Sequence, residues 1–311
     1  MSDVTPHTEA AGRATAGEIA ALVQGTLSGD AGMEISGVCT FASPEAGKLC
    51  FAQSLEMLSS NDPTERGAIL LAPPGSEQIV RGTVICVAAP RLAFARAAER
   101  VIGARRQSGV ARSASVHGTA VIGENVTIGE NCVIGERVEI GDDTELRHNI
   151  VVAHGVRIGR RCLIKSNCVL GEEGFGFEKD SEGQNIRIPH VGSVLIEDDV
   201  EIGGSTTVVA GTISPTRIRR GVKLDDHVFI AHNCDIGADS LVIACAEVSG
   251  SVVIGENCWI GPNASIRDGL RIAPGSLVGI GSVVTRSIEV AGVYAGVPAR
   301  LMKPREDPAA S

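Results

Sequence analysis

Histidine is the side chain best suited to proton transfer near neutral pH, and His232 has the most informative context of the seven histidines in this sequence. It lies two residues after Ile230, and Gly250 follows it by eighteen residues. If eighteen residues complete one turn of a coiled chain, the unhindered backbone N–H of Gly250 lies over the imidazole. A proton acceptor beside an amide donor is what acyl transfer requires. The sequence therefore predicts His232 and Gly250 as catalytic residues, the alternative being a solvated surface histidine.

The elements that would position this pair are predicted by a six-residue repeat. Branched aliphatic residues recur at every sixth position in two long runs, and a second row of mostly small side chains follows four residues after them. A short, strict period is typical of a solenoid, whose units bury their apolar sides against their neighbours. Six-residue units suit a triangular β-helix with one short strand per face, so that three units make one turn. The aliphatic positions are Ile122, Ile128, Ile134, Ile140, Leu146, Val152, Ile158, Ile164 and Leu170, then Ile218, Leu224, Ile230, Ile236, Val242, Val248, Ile254, Ile260, Ile266, Ile272, Val278 and Val284.

The composition agrees with a mainly β protein built on a narrow β-helix. Aromatic residues make up only 3% of the 311 residues, as expected where a prism takes one aliphatic side chain per layer. The length favours two domains. None of the nine cysteines forms a Cys-x-x-Cys pair, which argues against zinc fingers and secreted disulfide frameworks. The net charge of −9 argues against a general nucleic-acid-binding protein.

The expected location follows from the distribution of apolar residues. No run of eighteen apolar residues occurs, and the polar segment Met1–Ala14 lacks the hydrophobic stretch of a signal peptide. The sequence therefore predicts a cytoplasmic protein without a membrane span.

Four segments are expected along the chain. Residues 1–14 are expected to be disordered, residues 15–110 to form a small α/β domain, residues 111–290 to form the β-helix, and residues 291–311 to form a cap and tail that cannot continue the stacking. A loop insertion at 171–195 interrupts the β-helix. Long excursions from a rigid solenoid usually carry function, although this one could instead cover a packing seam.

The α/β domain is predicted from its capping and strand signals. The Thr15 hydroxyl is placed to cap a first helix, and a second helix is predicted over residues 91–102. Short strands separated by glycine and proline are predicted at Ile35–Val38, Ala68–Leu71 and Val84–Val87.

Two basic clusters could receive an anionic acyl donor, either a phosphopantetheine carrier or coenzyme A. The cluster nearer to His232 in the sequence is the predicted donor-binding site, and the alternative for both clusters is a solvated corner of the prism. The clusters are Arg217, Arg219, Arg220 and Lys223, and Arg157, Arg160, Arg161 and Lys165.

A metal site is a weaker alternative. His148 and His154 occupy the same place in successive repeats, and stacked histidines on a β-helix bind zinc in the γ-class carbonic anhydrases. The sequence offers no evident third ligand, so no metal is predicted. No phosphate-binding loop or dinucleotide fingerprint is present either.

The sequence resembles the UDP-3-O-acylglucosamine N-acyltransferase family of lipid A biosynthesis over residues 15–303. The resemblance depends on several short motifs in the same order and at matching spacing. They are Gly37, Val38, Ala46, Gly47, Leu49 and Phe51, Ala89–Ala95, Gly174–Phe177, Ile188–Pro189 with Gly192, Val200–Gly203, Ile230–Asn233 and Ile236–Gly237.

This resemblance implies a left-handed parallel β-helix that forms a homotrimer with active sites at subunit clefts. It implies that His232 is the general base for attack of a glucosamine 2-amino group on a 3-hydroxyacyl carrier-protein thioester, without a covalent intermediate, and that Gly250 N–H holds the oxyanion. It also implies a nucleotide-sugar substrate, with the N-terminal domain binding uracil. The implied substrate-binding residues are Phe51, Phe175, His190 and Asn233. The thioester is a co-substrate, and no separate cofactor is implied.

The sequence departs from the family at several positions. The family's Asp-Arg-Gly is Val209-Ala210-Gly211, the aromatic residue that stacks on uracil is Met57, and a second active-site histidine is Leu270. The Gly296–Arg300 segment, Gly-Val-Pro-Ala-Arg, is instead common among coenzyme-A-dependent sugar acetyltransferases. Such an acetyltransferase is the alternative function.

Overall fold

The computed structural model describes residues 9–103 and 108–304 of the chain. It divides into two compact units, Met1–Arg106 and Gln107–Ser311. Each unit has its own hydrophobic core, and each is described separately here.

The N-terminal unit contains a six-stranded mixed sheet. Its four central strands are parallel, and an antiparallel strand flanks them on each side. In spatial order the strands are Glu9–Thr15, Glu34–Val38, Lys48–Phe51, Ile69–Ala72, Val84–Cys86 and Thr26–Ser28.

The helices of this unit begin with the predicted cap. Thr15 Oγ1 accepts a hydrogen bond from Glu18 N at 3.2 Å, and the Glu18 carboxylate accepts one from Thr15 N at 2.9 Å. These reciprocal bonds satisfy two amides of the first helical turn. The α-helices are Ala16–Leu22, Leu55–Leu58 and Pro90–Ile102, and the 3₁₀-helices are Pro63–Arg66 and Ser76–Gln78.

The expectation of disorder through residue 14 is wrong for residues 9–14. This segment pairs antiparallel with Glu34–Val38, and Ala14 lies opposite Ile35. Ala14 and Ile35 are both buried in the core of the unit. The sequence of the segment does not predict a strand, because the segment has no apolar run and is stabilised by pairing with Glu34–Val38. Residues 1–8 lie outside the described residues.

The second unit is a β-solenoid of parallel strands, which confirms the predicted fold class. Each turn of the chain adds one short strand to each of three sheets, and apart from the last strand of the first sheet all pairing within them is parallel. The first sheet contains Gly109–Val110, Thr127–Ile128, Glu145–Leu146, Leu163–Ile164, Glu201–Ile202, Lys223–Leu224, Leu241–Val242, Trp259–Ile260, Leu277–Val278, Gly292–Ala295 and Arg300–Pro304. The second sheet contains Ser115–Val116, Val133–Ile134, Val151–Val152, Val169–Leu170, Thr207–Val208, Phe229–Ile230, Glu247–Val248, Ser265–Ile266 and Val283–Val284. The third sheet contains Val121–Ile122, Glu139–Ile140, Arg157–Ile158, Val194–Ile196, Thr216–Ile218, Asp235–Ile236, Val253–Ile254 and Arg271–Ile272.

Both predicted inner rows form the core of the solenoid. The aliphatic residue that ends each regular strand is almost fully buried, except in the first coil. The second row is also buried, and some of its hydroxyl groups bond to backbone carbonyls of the next coil, although the buried Ser276 hydroxyl has no partner among the described residues. Thr144 Oγ1 donates to Gly159 O at 2.8 Å, and Ser240 Oγ donates to Gly255 O at 2.9 Å. These bonds allow polar side chains to occupy an otherwise apolar row.

The corners of the solenoid are left-handed turns. One residue at most corners has a positive φ, and asparagine, aspartate and glycine are the residues that tolerate this conformation best. Asn125, Asn149 and Asn233 adopt φ values of 56°, 57° and 62°. The frequent Asn, Asp and Gly residues of the repeat thus mark the corners.

Two insertions break the eighteen-residue turn. The first is the predicted loop, because of which Arg157 pairs with Leu195 and not with a residue eighteen positions later. The loop itself contains an antiparallel ribbon of Phe177–Lys179 and Asn185–Arg187. A second, shorter insertion after Val208 was not predicted. It lengthens one turn to 22 residues, as shown by the Thr206–Val228 hydrogen bond.

The C-terminal segment extends the first sheet, contrary to the expectation that it could not continue the stacking. Gly292–Ala295 pairs parallel with Leu277–Val278, and Arg300–Pro304 turns back antiparallel. Pro298 lies in the connecting turn, where it removes no ladder hydrogen bond. Residues 305–311 lie outside the described residues.

Across residues 9–103 and 108–304, no helix has the length and apolar character needed to cross a bilayer.

The register of the core can be tested by Ile236→Asp. Ile236 is fully buried, and an unpaired buried carboxylate costs several kcal/mol, comparable to the total stability of a domain. We expect the variant not to fold. The matched control is Leu241→Asp on the outer surface, where Lys223 and Trp259 are the parallel neighbours. Circular dichroism melting should show a cooperative transition for the control only, and a normal transition for Ile236→Asp would contradict the register.

Candidate active site

His232 lies at the corner that follows Phe229–Ile230, and Gly250 occupies the same corner one coil later. The two coils are joined there by a hydrogen bond from Ser251 N to His232 O at 2.8 Å. A Cβ atom on Gly250 would lie 2.5 Å from Cε1 and 2.8 Å from Nε2 of His232. Gly250 N–H donates to no acceptor within the described part of the chain. An imidazole and an unused amide donor therefore lie side by side.

Asn233 holds the imidazole from the other side. Its Oδ1 accepts a hydrogen bond from Thr212 N at 2.8 Å, which orients the carboxamide. Its Nδ2 is 3.1 Å from Thr212 Oγ1 and 3.1 Å from His232 Nδ1. The polar atoms of Asn233, predicted to bind substrate, are thus engaged within the protein, where they orient His232.

Thr212 belongs to the short insertion after Val208, and sequence reasoning missed it. The same insertion leads to Thr216, whose hydroxyl accepts a hydrogen bond from Asn233 N at 3.0 Å. The signal in the sequence is the ten-residue step from Val208 to Ile218 where six is the rule. This insertion supplies the groups that fix Asn233.

The long loop brings a second histidine to the same corner. The rings of His190 and His232 are edge to face, with centroids 5.4 Å apart and an interplanar angle of 67°. His190 is only 3% exposed. Its Nδ1 lies 3.0 Å from the Ile188 carbonyl oxygen, and its buried Nε2 has no hydrogen-bond partner among the described residues. The predicted substrate-binding His190 therefore lies beside His232 but is covered.

Two glycines of the loop cover His190. A Cβ on Gly174 would lie 2.7 Å from Nε2 of His190, and one on Gly176 would lie 2.9 Å from Cε1. Phe175 between them is 87% exposed, and its ring packs against Phe177 at 4.9 Å. The Gly-Phe-Gly-Phe motif thus covers one histidine closely and presents an aromatic ring to the exterior.

Burial, and then the proximity of His190, lower the pKa of His232 below its usual 6.5. A lowered pKa keeps the imidazole neutral at neutral pH. Neutral His232 can therefore accept a proton from a substrate without first having to release one to solvent.

The predicted donor-binding cluster is not a set of four free cations. Arg219 forms ion pairs with Asp235 at 2.7 Å and with Glu197 at 3.2 Å. Lys223 Nζ donates to the Asp199 carbonyl at 2.7 Å. Arg220 is exposed, and its backbone amide bonds to Glu197.

Arg217 differs from the other members of this cluster. It forms no ion pair within the residues that the structure describes. It lines a cavity of about 480 Å³ together with Arg157, Val191, Ile213 and Pro215. Val191 and Ile213 are exposed apolar residues, so this cavity combines cationic and apolar groups.

The second basic cluster is satisfied by carboxylates of neighbouring coils, as expected of a solvated corner. The ion pairs are Arg157–Glu139 at 3.3 Å, Arg160–Asp142 at 3.6 Å, Arg161–Asp199 at 2.7 Å and Lys165–Glu201 at 3.1 Å.

The zinc alternative gains no support. Residues six apart lie at different corners of the solenoid, so His148 and His154 are not stacked. His148 contacts Glu130, and His154 is exposed. Among the described residues, no group of three His, Cys, Asp or Glu side chains is arranged to hold a metal ion.

Two positions that depart from the resembled family have structural roles. Leu270 is buried in the solenoid core. Val209 is buried, and its Cγ1 would lie 3.0 Å from a Cβ on Gly174. Both side chains therefore pack rather than catalyse.

In the N-terminal unit, the predicted substrate-binding Phe51 packs against Phe94, with ring centroids 4.8 Å apart. Met57 is half-buried, and its Sδ lies 3.4 Å from Gln53 N. Phe51 is half-buried as well.

A methyl group at Gly250 tests the contact with His232. In Gly250→Ala the Cβ must displace the imidazole and lengthen its contact with Asn233. We expect the His232 signals in an NMR spectrum to shift strongly while the melting temperature changes little. Gly118→Ala is the control because no atom lies within 4 Å of a Cβ there. Unshifted His232 signals in Gly250→Ala would contradict the geometry.

Comparison with known proteins supports the predicted resemblance. The model of the bacterial transferase hexapeptide (six repeats) family matches residues 137–172 and 251–286. The chain is 44% identical over 142 residues to the UDP-3-O-acylglucosamine N-acyltransferase of Janthinobacterium sp.. The aligned region covers 46% of this chain and 40% of that protein. It is 46% identical over 129 residues to UDP-3-O-acylglucosamine N-acyltransferase 2 of Sulfurimonas denitrificans, covering 41% of each chain. The matched region thus spans about two fifths of these relatives.

Solved structures show the same solenoid. LpxA from Acinetobacter baumannii is 26% identical and superposes with a TM-score of 0.55, covering 62% of this chain and 73% of that one. The UDP-N-acetylglucosamine acyltransferase from Campylobacter jejuni superposes with a TM-score of 0.57 at 19% identity, covering 65% of this chain and 80% of that one. The second similarity bears on the fold alone.

Proposed function

We propose that this protein is an N-acyltransferase that moves a 3-hydroxyacyl chain from a carrier-protein thioester to the 2-amino group of UDP-3-O-acylglucosamine. The observation that carries the proposal is the His232 imidazole beside the unused Gly250 N–H, on a solenoid similar to enzymes named for this substrate. Proton transfer and oxyanion stabilisation are the two requirements of acyl transfer to an amine.

The transfer is direct. The amine attacks the thioester carbonyl carbon, and Gly250 N–H donates to the oxygen as negative charge develops. Neutral His232 takes the amine proton and returns it to the thiolate as the C–S bond breaks. No serine or cysteine side chain of the described residues forms a hydrogen bond with the ring of His190 or His232: Ser249 Oγ donates to Glu247 instead. The thiol nearest to His232 in sequence, Cys234, is buried in the core row, and burial raises its pKa to about 12.

The proposed assembly is a homotrimer with active sites at subunit clefts. The outward residues of the second sheet include an apolar stripe of Val133, Val151 and Val169, and Thr207 separates this stripe from Phe229. Val133 and Phe229 are 46% and 41% exposed. Apolar patches of this kind are typical of subunit interfaces. Because His232 follows Phe229–Ile230, burial of this stripe by another subunit would place the corner at the cleft.

The nucleotide sugar is proposed to contact Phe175 of the long loop. An exposed ring offers a stacking surface for a base or an apolar surface for an acyl chain. Phe175 meets this condition directly because 87% of its surface is exposed.

The proposal is tested by mass spectrometry of the full chain with UDP-3-O-acylglucosamine and either 3-hydroxyacyl carrier protein or acetyl coenzyme A. Amide formation from the carrier protein supports it. Acetylation from coenzyme A alone would favour the alternative sugar acetyltransferase, which the Gly296–Arg300 segment suggests. Absence of product with either donor would contradict acyl transfer to this acceptor.

His232→Ala should lower turnover by about two to four orders of magnitude, the usual contribution of an acid–base group. The imidazole is half-buried rather than a core residue, so the melting temperature should change little. His154→Ala is the control, since His154 is an exposed histidine on the same edge of the solenoid, three coils before His232. Activity of His232→Ala within a few-fold of the parent would remove His232 from the mechanism.

The donor site is tested by Arg217→Glu. Carrier proteins are acidic, and this chain carries a net charge of −9, so docking needs local positive charge. We expect the KM for the carrier-protein donor to rise several-fold at low salt, with a weaker salt dependence and little change in kcat. In contrast, Arg219→Glu should lower stability because Arg219 bridges Asp235 and Glu197. Unchanged donor kinetics in Arg217→Glu would place the donor elsewhere.

A further inference from the structure

Cys39 and Cys50 of the N-terminal unit lie opposite each other on neighbouring parallel strands. Val38 pairs with Leu49, and Cys39 and Cys50 are the residues that follow this pair on the two strands. Cys39 N donates a hydrogen bond to Leu49 O at 2.9 Å, as a residue opposite Cys50 does in a parallel ladder. The backbone therefore places the two cysteines in register.

The two cysteine side chains lie on the same face of the sheet. Successive residues of a strand point to opposite faces. Val38 and Leu49 belong to one hydrophobic cluster of the unit, whereas Cys50 is buried in the other cluster and Cys39 packs against it. On that face a hydrogen bond joins the two thiols.

The two thiols differ in their access to solvent. Cys50 is fully buried, and Cys39 is half-buried. Burial, and then the neighbouring Cys39 thiol, hold the pKa of the Cys50 thiol above its usual range. Because the thiolate is the reactive form of cysteine, an oxidant from solvent meets Cys39 first.

The other cysteines have different surroundings. Cys86 Sγ donates a hydrogen bond to the Glu77 carboxylate at 3.0 Å, and Cys245 is exposed at a corner of the solenoid. Five cysteines of the solenoid's second row donate to backbone carbonyl oxygens instead. They are Cys132, Cys162, Cys168, Cys234 and Cys258.

We propose that Cys39 and Cys50 form a site of reversible oxidation, at which a hydroperoxide converts the two thiols into a disulfide. Neighbouring strands lie about 4.8 Å apart, within the range of about 4.4–6.8 Å between Cα atoms that a disulfide spans. The bond therefore forms without separating the strands. Disulfides of proteins in reducing compartments are usually transient and redox-sensing, which fits the cytoplasmic location that the sequence predicts. This inference goes beyond the proposed acyl transfer and does not depend on it.

The reaction balances with hydrogen peroxide as the oxidant. The Cys39 sulfur attacks one peroxide oxygen, the O–O bond breaks, and the products are a sulfenic acid on Cys39 and one water molecule. The Cys50 sulfur then attacks the Cys39 sulfur, the S–O bond breaks, and the departing hydroxide leaves with the Cys50 proton as a second water molecule. The two sulfurs lose two electrons, which the peroxide gains. A dithiol reductant reverses the oxidation by attacking the more accessible sulfur, that of Cys39.

The disulfide restrains the segment that connects the two strands. Residues 40–47 form this connection, and Phe41 near its start packs against the same cluster as Cys39. A covalent bond at Cys39 anchors the start of the connection to the neighbouring strand. Local opening of the connection then becomes less favourable.

Peptide mass spectrometry detects the bond directly. The full chain is treated with hydrogen peroxide at a dose that oxidises the exposed Cys245, free thiols are blocked with iodoacetamide in denaturant, and the protein is digested with trypsin. Cleavage after Lys48 leaves Cys39 and Cys50 on separate peptides, residues 14–48 and 49–66, each with one cysteine. We expect these two peptides to be linked with the loss of two hydrogens, and to be released by dithiothreitol.

Two variants test the assignment. Cys39→Ser removes the accessible sulfur, so no link should form and Cys50 should be recovered blocked. Cys245→Ser is the control, because Cys245 lies in the other unit, and at the same peroxide dose the link should form as in the parent. The proposal is overturned if both cysteines of the parent are recovered separately blocked, or if Cys39 is recovered as sulfinic acid with Cys50 unlinked.

Hydrogen exchange tests the restraint. In the oxidised protein, amides of residues 40–47 should exchange about tenfold more slowly than in the reduced protein, because the bond opposes local opening. Amides of the solenoid should exchange at the same rate in both forms. Unchanged or faster exchange of residues 40–47 in the linked protein would contradict the restraint.

Discussion

The hydrogen bonds between successive coils determine the rest of the solenoid. Each strand residue bonds to the coil above and the coil below, which lie about 4.8 Å away along the axis. This ladder fixes which residues are stacked, as it does for His232 and Gly250, whose corners are joined by the Ser251–His232 bond. The same regularity requires an inner row of aliphatic residues, because the interior of the prism has room for one such side chain per strand.

The candidate site is built where the regularity fails. The long loop carries His190 to the corner of His232, and the short insertion carries Thr212 to Asn233. A uniform solenoid repeats the same corner on every coil and gives no corner a distinctive environment. Within the described residues, the insertions bring a buried imidazole, a partner for the Asn233 carboxamide and a nearby cavity to this corner. The insertions thus add partners to a corner whose central residues, His232 and Gly250, belong to the repeat.

The periodic part of the molecule could be predicted from sequence because each position repeats one physical requirement. Ile236 had to be buried, and Gly250 had to stack on His232, once the period was known. The insertions could not be predicted in the same way. The contact of His190 with His232 depends on the path of a loop, and the role of Asn233 depends on Thr212. The sequence suggests that Arg219 is a free cation, because its partners, Asp235 and Glu197, are distant in sequence and lie on neighbouring coils.

The central claim is that acyl transfer takes place at the corner shared by His232 and Gly250. A crystal structure of the full chain with UDP-3-O-acylglucosamine and a thioether analogue of the acyl donor tests it most directly. The account predicts the sugar amino group within reach of the two histidines, and the donor's acyl end within hydrogen-bonding distance of Gly250 N. Both ligands bound well ordered at another corner, with the His232 corner filled by solvent, would contradict it.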